Sequence, residues 1–128
     1  MHVLVVEDDL AGRELLGMIL ESRGFSVTTC ITAQEALATA PHIEPQLLVT
    51  DLMLGAGDAT AGLELVGAFR SDPRLNSVPI LVLTGITGPY DLARAREYGA
   101  DACLPKPVDV SRLMVEIDNL VIGSRDSQ

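Results

Sequence analysis

The sequence predicts a doubly wound α/β domain, in which a parallel sheet carries helices on both faces. Two features of the chain lead there. Five apolar runs rich in Val, Leu and Ile each precede a stretch with helical spacing. The connections are short, and no repeat, low-complexity tract or linker interrupts the alternation. Strand–helix alternation of this kind builds a parallel sheet through right-handed crossovers. At 128 residues the chain suits one domain, large enough to bury roughly two thirds of its unfolded surface. The domain is placed at residues 1–122, with a frayed polar tail at 123–128.

Val3 to Val6 is a first buried strand, ending at the acids Glu7-Asp8-Asp9. A helix follows, with Leu10, Ala11, Leu15, Met18 and Ile19 as its apolar positions and Gly24 as its stop. Phe25 to Ile31 is the second strand. Thr32-Ala33-Gln34-Glu35 has the form of a capping box, so a second helix runs from Ala33 to about Thr39. Pro41 and Pro45 bracket a short turn before the third strand, Gln46 to Thr50, which delivers Asp51. Its apolar run does not alternate, as in a strand buried on both faces.

After the loop Gly55-Ala56-Gly57-Asp58, Gly62 to Arg70 carries Leu63, Val66 and Phe69 at helical spacing. Ser71-Asp72-Pro73 ends that helix, because a residue before proline is disfavoured in the α region. Pro79 to Thr84 is the fourth strand. Pro89 opens a fourth helix that reaches Tyr98 and closes at Gly99. Ala102-Cys103-Leu104 is a short fifth strand running into Pro105-Lys106-Pro107. Asp109 caps a last helix with Val110, Leu113, Met114, Ile117 and Val121 on its apolar side.

Composition narrows the function classes. Hydrophobic residues make up 48% of the chain and aromatics only 3%, so the core is Val, Leu, Ile and Ala. Cys30 and Cys103 each lie inside an apolar segment and read as reduced core thiols, which implies a cytoplasmic setting. Met1-His2-Val3 lacks the charged start of a secretory signal, and no run approaches the ~18 residues of a membrane span. A net charge of −9 argues against nucleic-acid binding, which needs Lys and Arg against phosphate. His2 opens a strand and His42 sits near prolines, so neither has ligand-like neighbours.

In a parallel sheet every strand's carboxyl end lies on one edge. The first strand ends at Glu7-Asp8-Asp9, the third at Asp51 and the fourth at Thr84, while the fifth leads to Lys106. The second ends apolar at Cys30 and Ile31, as an outer strand does. With the flavodoxin-like order 2-1-3-4-5, a three-layer (βα)5 sandwich, the ligand crevice opens between strands 1 and 3. That brings Glu7, Asp8 and Asp51 together. Taken alone, Asp51 is equally a cap of its strand or of the next helix. Grouped carboxylates raise each other's pKa unless a cation compensates, and their hard oxygens suit Mg²⁺. Lys106 adds a compact positive charge and Thr84 a hydroxyl, both suited to phosphoryl oxygens. Asp51 is then a candidate nucleophile that forms an acyl phosphate.

Val3-Leu4-Val5-Val6-Glu7-Asp8-Asp9, Asp51 after its apolar strand, Leu83-Thr84, and Gly99-Ala100-Asp101 leading to Leu104-Pro105-Lys106-Pro107 are the marks of a known family. The chain resembles the receiver domain of two-component response regulators over nearly its whole length. No single motif is specific; the ordered set carries the resemblance. It implies that Asp51 is the phospho-acceptor, supplied by a sensor histidine kinase or a histidine phosphotransfer protein. Asp8 would be the direct Mg²⁺ ligand, Glu7 would act through water, and the carbonyl of Met53 would be a further ligand. Thr84 would bond the phosphoryl group and swing inward, and Lys106 would pair with it beside a cis Lys106-Pro107 bond. Asp9 reads better as an acid favoured at a helix N-terminus. A downstream effector would engage the face of helix 4, strand 5 and helix 5. Such a protein is not an enzyme beyond taking up phosphate and slowly losing it.

The chain departs from that pattern in three places. Cys103 stands where an aromatic residue is usual, so Thr84 would move without an aromatic gate, and the thiol reads as buried and inert rather than redox-sensing. The loop after Asp51 has Gly55 in place of the usual proline and runs about three residues longer before Gly62. Met53 and Ile86 are bulky and apolar where polar side chains help orient hydrolytic water, which predicts slow loss of phosphate. Timing acyl-phosphate decay checks this: Met53→Asn combined with Ile86→Glu should shorten the lifetime relative to wild type.

Other readings fit less well. A receiver-like interaction module that signals without phosphate is suggested by Cys103 and the altered loop. A phosphatase with an aspartyl nucleophile would want a second Asp two residues on, where Met53 stands. A nucleotide-binding enzyme would want G-x-G-x-x-G after Val6, which is lacking.

Overall fold

The computed structural model describes residues 1–54, 60–85 and 89–126, without the side chains of 89–91 and 122–126. The glycine-bearing loop at 55–59 and Ile86, on which two of the expectations fall, lie outside the described residues. Among the described residues, strands and helices alternate as β1 (His2–Val6), α1 (Leu10–Ser22), β2 (Ser26–Cys30), α2 (Ala33–Ile43) and β3 (Leu47–Asp51), then α3 (Thr60–Ser71), β4 (Ile80–Thr84), α4 (Pro89–Tyr98), β5 (Ala102–Pro105) and α5 (Val110–Asp126). The sheet is parallel throughout, in the order β2-β1-β3-β4-β5. This is the flavodoxin-like (βα)5 sandwich. No described helix is long and apolar enough to cross a membrane.

The two-residue period of the strands sorts the core into two layers. Val3, Val5, Leu47, Val49, Leu81 and Leu83 pack with Leu16 and Leu20 of α1 and Leu113, Met114 and Ile117 of α5. Leu4, Val6, Leu48, Ile80 and Val82 pack on the opposite face with Ala36, Ala40, Leu63, Val66, Phe69 and Ala95 from α2, α3 and α4. Each fully buried Leu, Ile or Val contributes about 1.5–3 kcal/mol. Caps fix where the helices begin. Asp9 accepts the Gly12 N–H at 2.8 Å, Thr32 the Glu35 N–H at 3.1 Å and Asp109 the Arg112 N–H at 3.2 Å.

The helices differ from the sequence-based expectation at three points. On α1, Leu10, Leu15 and Met18 are exposed by 59, 56 and 70%, while Leu16 and Leu20 face the sheet and Ile19 packs partly against it. The helix is apolar on more than one side, and spacing alone does not say which stripe meets β1 and β2. On α2, the helix passes through Pro41 to Ile43 instead of stopping near Thr39. A proline in a last turn forfeits one N–H bond, and Ala36 and Ala40, one turn apart, are fully buried. Glu44, at φ 48°, ends the helix with its N–H on the carbonyl of Ala40. On α5, which spans Val110–Asp126, Val110 of the expected apolar side is 40% exposed.

Arg70, at the end of α3, fastens the connections that flank β4 and β5. It donates to the carbonyls of Gly99 (2.9 Å), Asn76 (3.1 Å) and Val78 (2.7 Å) and pairs with Asp101 at 2.7 Å. The same Asp101 oxygen accepts the Ile80 N–H at 2.8 Å. Asp101, met in the sequence as part of a motif, thus ties the start of β4 to the approach of β5.

Candidate functional site

The strand register brings the site to one edge. Val6 pairs with Thr50, Asp51 with Leu83, and Thr84 with Pro105. Glu7 and Asp51 follow Val5 and Val49 by two residues, and Lys106 follows Leu104 by two, so all three fall on the α1/α5 side. Thr84 follows Val82 on the opposite face, where Cys103 also packs.

Contacts among these residues are short. Lys106 Nζ donates to Glu7 Oε1 at 2.7 Å and to Asp51 Oδ2 at 2.8 Å. The Met53 N–H donates to Asp51 Oδ1 at 3.0 Å. Glu7 and Asp51 are buried, Asp8 is exposed, and one oxygen from each lies within 4.8 Å of the others. Thr84 is buried, and its carbonyl accepts the Lys106 N–H at 2.8 Å. The Lys106-Pro107 peptide is cis. Arg13, on α1, donates to the carbonyl of Glu7 at 3.0 Å and holds the main chain of the acidic turn.

Electrostatics follow from burial. Loss of solvent, then the neighbouring Asp51 carboxylate, push the pKa of Glu7 up to about 7, against the opposing pull of Lys106. Burial works against the Lys106 ammonium, but its bonds to Asp51 and Glu7 outweigh that and raise its pKa. Burial also raises the Cys103 thiol, with Arg96 pulling the other way, which suits an unreactive side chain. Glu7 Oε2 is buried with no hydrogen-bond partner. A proton or a cation would satisfy it.

The raised acid predicts a pH dependence. A carboxyl that binds its proton more tightly when folded adds stability that is complete below its unfolded pKa of 4.5 and lost as pH rises through about 7. At 1.36 kcal/mol per unit, metal-free protein should lose about 2–3 kcal/mol between pH 4.5 and 8 on account of this group. Urea unfolding across that range measures it. Glu7→Gln should flatten the profile, and an unchanged slope in that variant would remove Glu7 as its source.

Residues 3–118 match the family model of the response regulator receiver domain. The chain belongs to that family. As a receiver domain it is 37% identical over 114 residues to an uncharacterised 14.6 kDa protein of Leptolyngbya boryana, covering 89% of this chain and 85% of that one. It is 30% identical over 120 residues to the DNA-binding dual master transcriptional regulator RpaA of Synechocystis sp., covering 94% of this chain and 48% of that protein. The chain therefore spans about half the length of that regulator. Among solved structures, it superposes on the signal receiver domain of a signal transduction histidine kinase from Syntrophus aciditrophicus with a TM-score of 0.84 and 29% identity. That match covers 95% of this chain and 90% of the other. Receiver domains are signalling modules and not classical enzymes.

The structure brings Glu7, Asp8, Asp51 and Lys106 of this receiver domain together, with the Met53 main chain beside Asp51. Thr84 stands at the same edge, on the opposite face of the sheet. Reasoning from sequence missed Gly12 and Arg13, which pack against Glu7 from the first turn of α1. A glycine in the third position of a capped helix was the available signal.

Proposed function

We propose that this receiver domain takes a phosphoryl group onto Asp51 in the cytoplasm, from a sensor histidine kinase or a histidine phosphotransfer protein, with Mg²⁺ beside it. The modified site then alters a partner-binding face made by α4, β5 and α5. The observation that carries this reading is the Lys106 ammonium, which lies 2.8 Å from Asp51 while also bonded to Glu7. The donor set fits the metal: the oxygens are hard, three carboxylates each offer one within 4.8 Å of the others, and Glu7 Oε2 is buried without a partner. Glu7, Asp8, Asp51 and the Met53 carbonyl would hold it. Bound there, it would supply positive charge against the phosphoryl oxygens.

The chain's own residues perform the rest. The Met53 N–H and Lys106 hold the two oxygens of Asp51. One of these oxygens forms a bond to phosphorus as the bond from phosphorus to the donor's histidine nitrogen breaks, and the departing imidazole keeps the electron pair. Lys106 then offsets charge on the transferred group, and Thr84, from the opposite face at the sheet's end, swings inward so that its hydroxyl donates to it.

Acetyl phosphate with Mg²⁺ tests the proposal. Intact-mass spectrometry should show the gain of one phosphoryl group in wild type and none in Asp51→Asn. No gain in wild type would leave the phosphate-independent interaction module as the better account.

A further inference from the structure

Gly12 is the third residue of α1, a helix capped by Asp9. Alanine is the better helix former there. A Cβ on Gly12, however, would lie 2.7 Å from Glu7 Oε1, 3.2 Å from Asp9 Oδ2 and 3.4 Å from Glu7 Cγ. Glu7 has little room to retreat. Its N–H is bonded to the Cys30 carbonyl at 3.0 Å, and its own carbonyl accepts from Arg13 at 3.0 Å. Its Oε1 is bonded to Lys106, and the residue is 2% exposed.

We propose that Gly12 is a positioning residue: the missing side chain makes room for glutamate, and not the shorter aspartate, at position 7. Glutamate extends its carboxylate by one further C–C bond, about 1.5 Å. That extra length is accommodated against the bare Cα of Gly12 and sets where Oε1 meets Lys106. A methyl group at residue 12 displaces the tip of a side chain and no main-chain atom, so the damage falls on the site and spares the fold. The functional half of this inference rests on the proposed Mg²⁺ site; the structural half rests on the contacts alone.

Gly12→Ala, Glu7→Asp and the double variant test it, each as the full chain. In a metal-free crystal structure of Gly12→Ala, the distance from Lys106 Nζ to Glu7 Oε1 should open from 2.7 Å to beyond about 3.5 Å. Calorimetric titration with MgCl₂ should show Gly12→Ala weakened about tenfold, while Gly12→Ala added to Glu7→Asp costs less than about threefold. The metal-free unfolding temperature of Gly12→Ala should stay close to that of wild type, because the helix gain of alanine offsets the lost Lys106 contact. An unmoved Glu7 carboxylate, or an equal loss of affinity in both backgrounds, would overturn the inference. If wild type itself takes up no Mg²⁺, the metal reading fails, and the metal-free distance still decides whether Gly12 positions Glu7.

Discussion

Lys106→Met is expected to slow phosphate uptake from acetyl phosphate by about a hundredfold or more, the usual cost of removing one preorganised charge from a reacting centre. The same change should destabilise the protein in a pH-dependent way. Without the ammonium, Glu7 and Asp51 face one another, each nearly buried. Breaking a buried pair costs about 3–5 kcal/mol, but the Lys106 side chain is 29% exposed and Glu7 can take up a proton. A loss of about 1–2 kcal/mol at pH 8 is the discounted expectation. At pH 6 Glu7 is mostly neutral, one charge is gone, and the loss should shrink. Urea unfolding at the two pH values measures both. Equal losses would mean that Lys106 acts through packing and not through charge.

Gly62→Ala should have the larger effect on folding. A Cβ there would sit 2.1 Å from the carbonyl oxygen of Leu52, 2.7 Å from its carbonyl carbon and 2.8 Å from its Cα. All three are main-chain atoms, so no rotamer change relieves the clash and α3 must move off β3. Overpacking of this kind costs about 1–3 kcal/mol or more, against an intrinsic helix gain for alanine of about 1 kcal/mol. We expect a net loss of about 2 kcal/mol by chemical denaturation. Leu52 follows Asp51, whose Oδ1 is held by the Met53 N–H, so phosphate uptake should fall as well. The contrast with Gly12→Ala is diagnostic, since two glycines in helix first turns would fail for different reasons. A Gly62→Ala protein as stable as wild type would show that α3 does not depend on this close approach.

Much of the architecture was legible because the governing rules are local. Continuous apolar runs in β3 and β4 marked strands buried on both faces, and alternation with helices dictated a parallel sheet. Once the sheet is parallel, Glu7, Asp8, Asp51, Thr84 and Lys106 must reach one edge. The apolar stripe of α1 was not legible, because Leu10, Leu15 and Met18 compete with Leu16 and Leu20, and only docking on the sheet selects between them. Pro41 misled for a related reason: its local cost was visible, whereas the burial of Ala36 and Ala40 that outweighs it was not. Arg13 and Arg70 were invisible because they bond main-chain carbonyls. Every residue offers such an acceptor, so the sequence bears no mark of which one is used.

The bonds that Lys106 makes to Glu7 and Asp51 join positions 99 and 55 residues apart. On the ribosome, β1 and β3 emerge and can pair long before residue 106 has been made. Until then the two buried carboxyls lack their counter-ion and repel each other, and the loop to be closed is among the costliest in the domain. The charges of the pocket therefore come into balance only when the two most distant strands of its edge have been joined, which makes the site a reporter of the finished sheet.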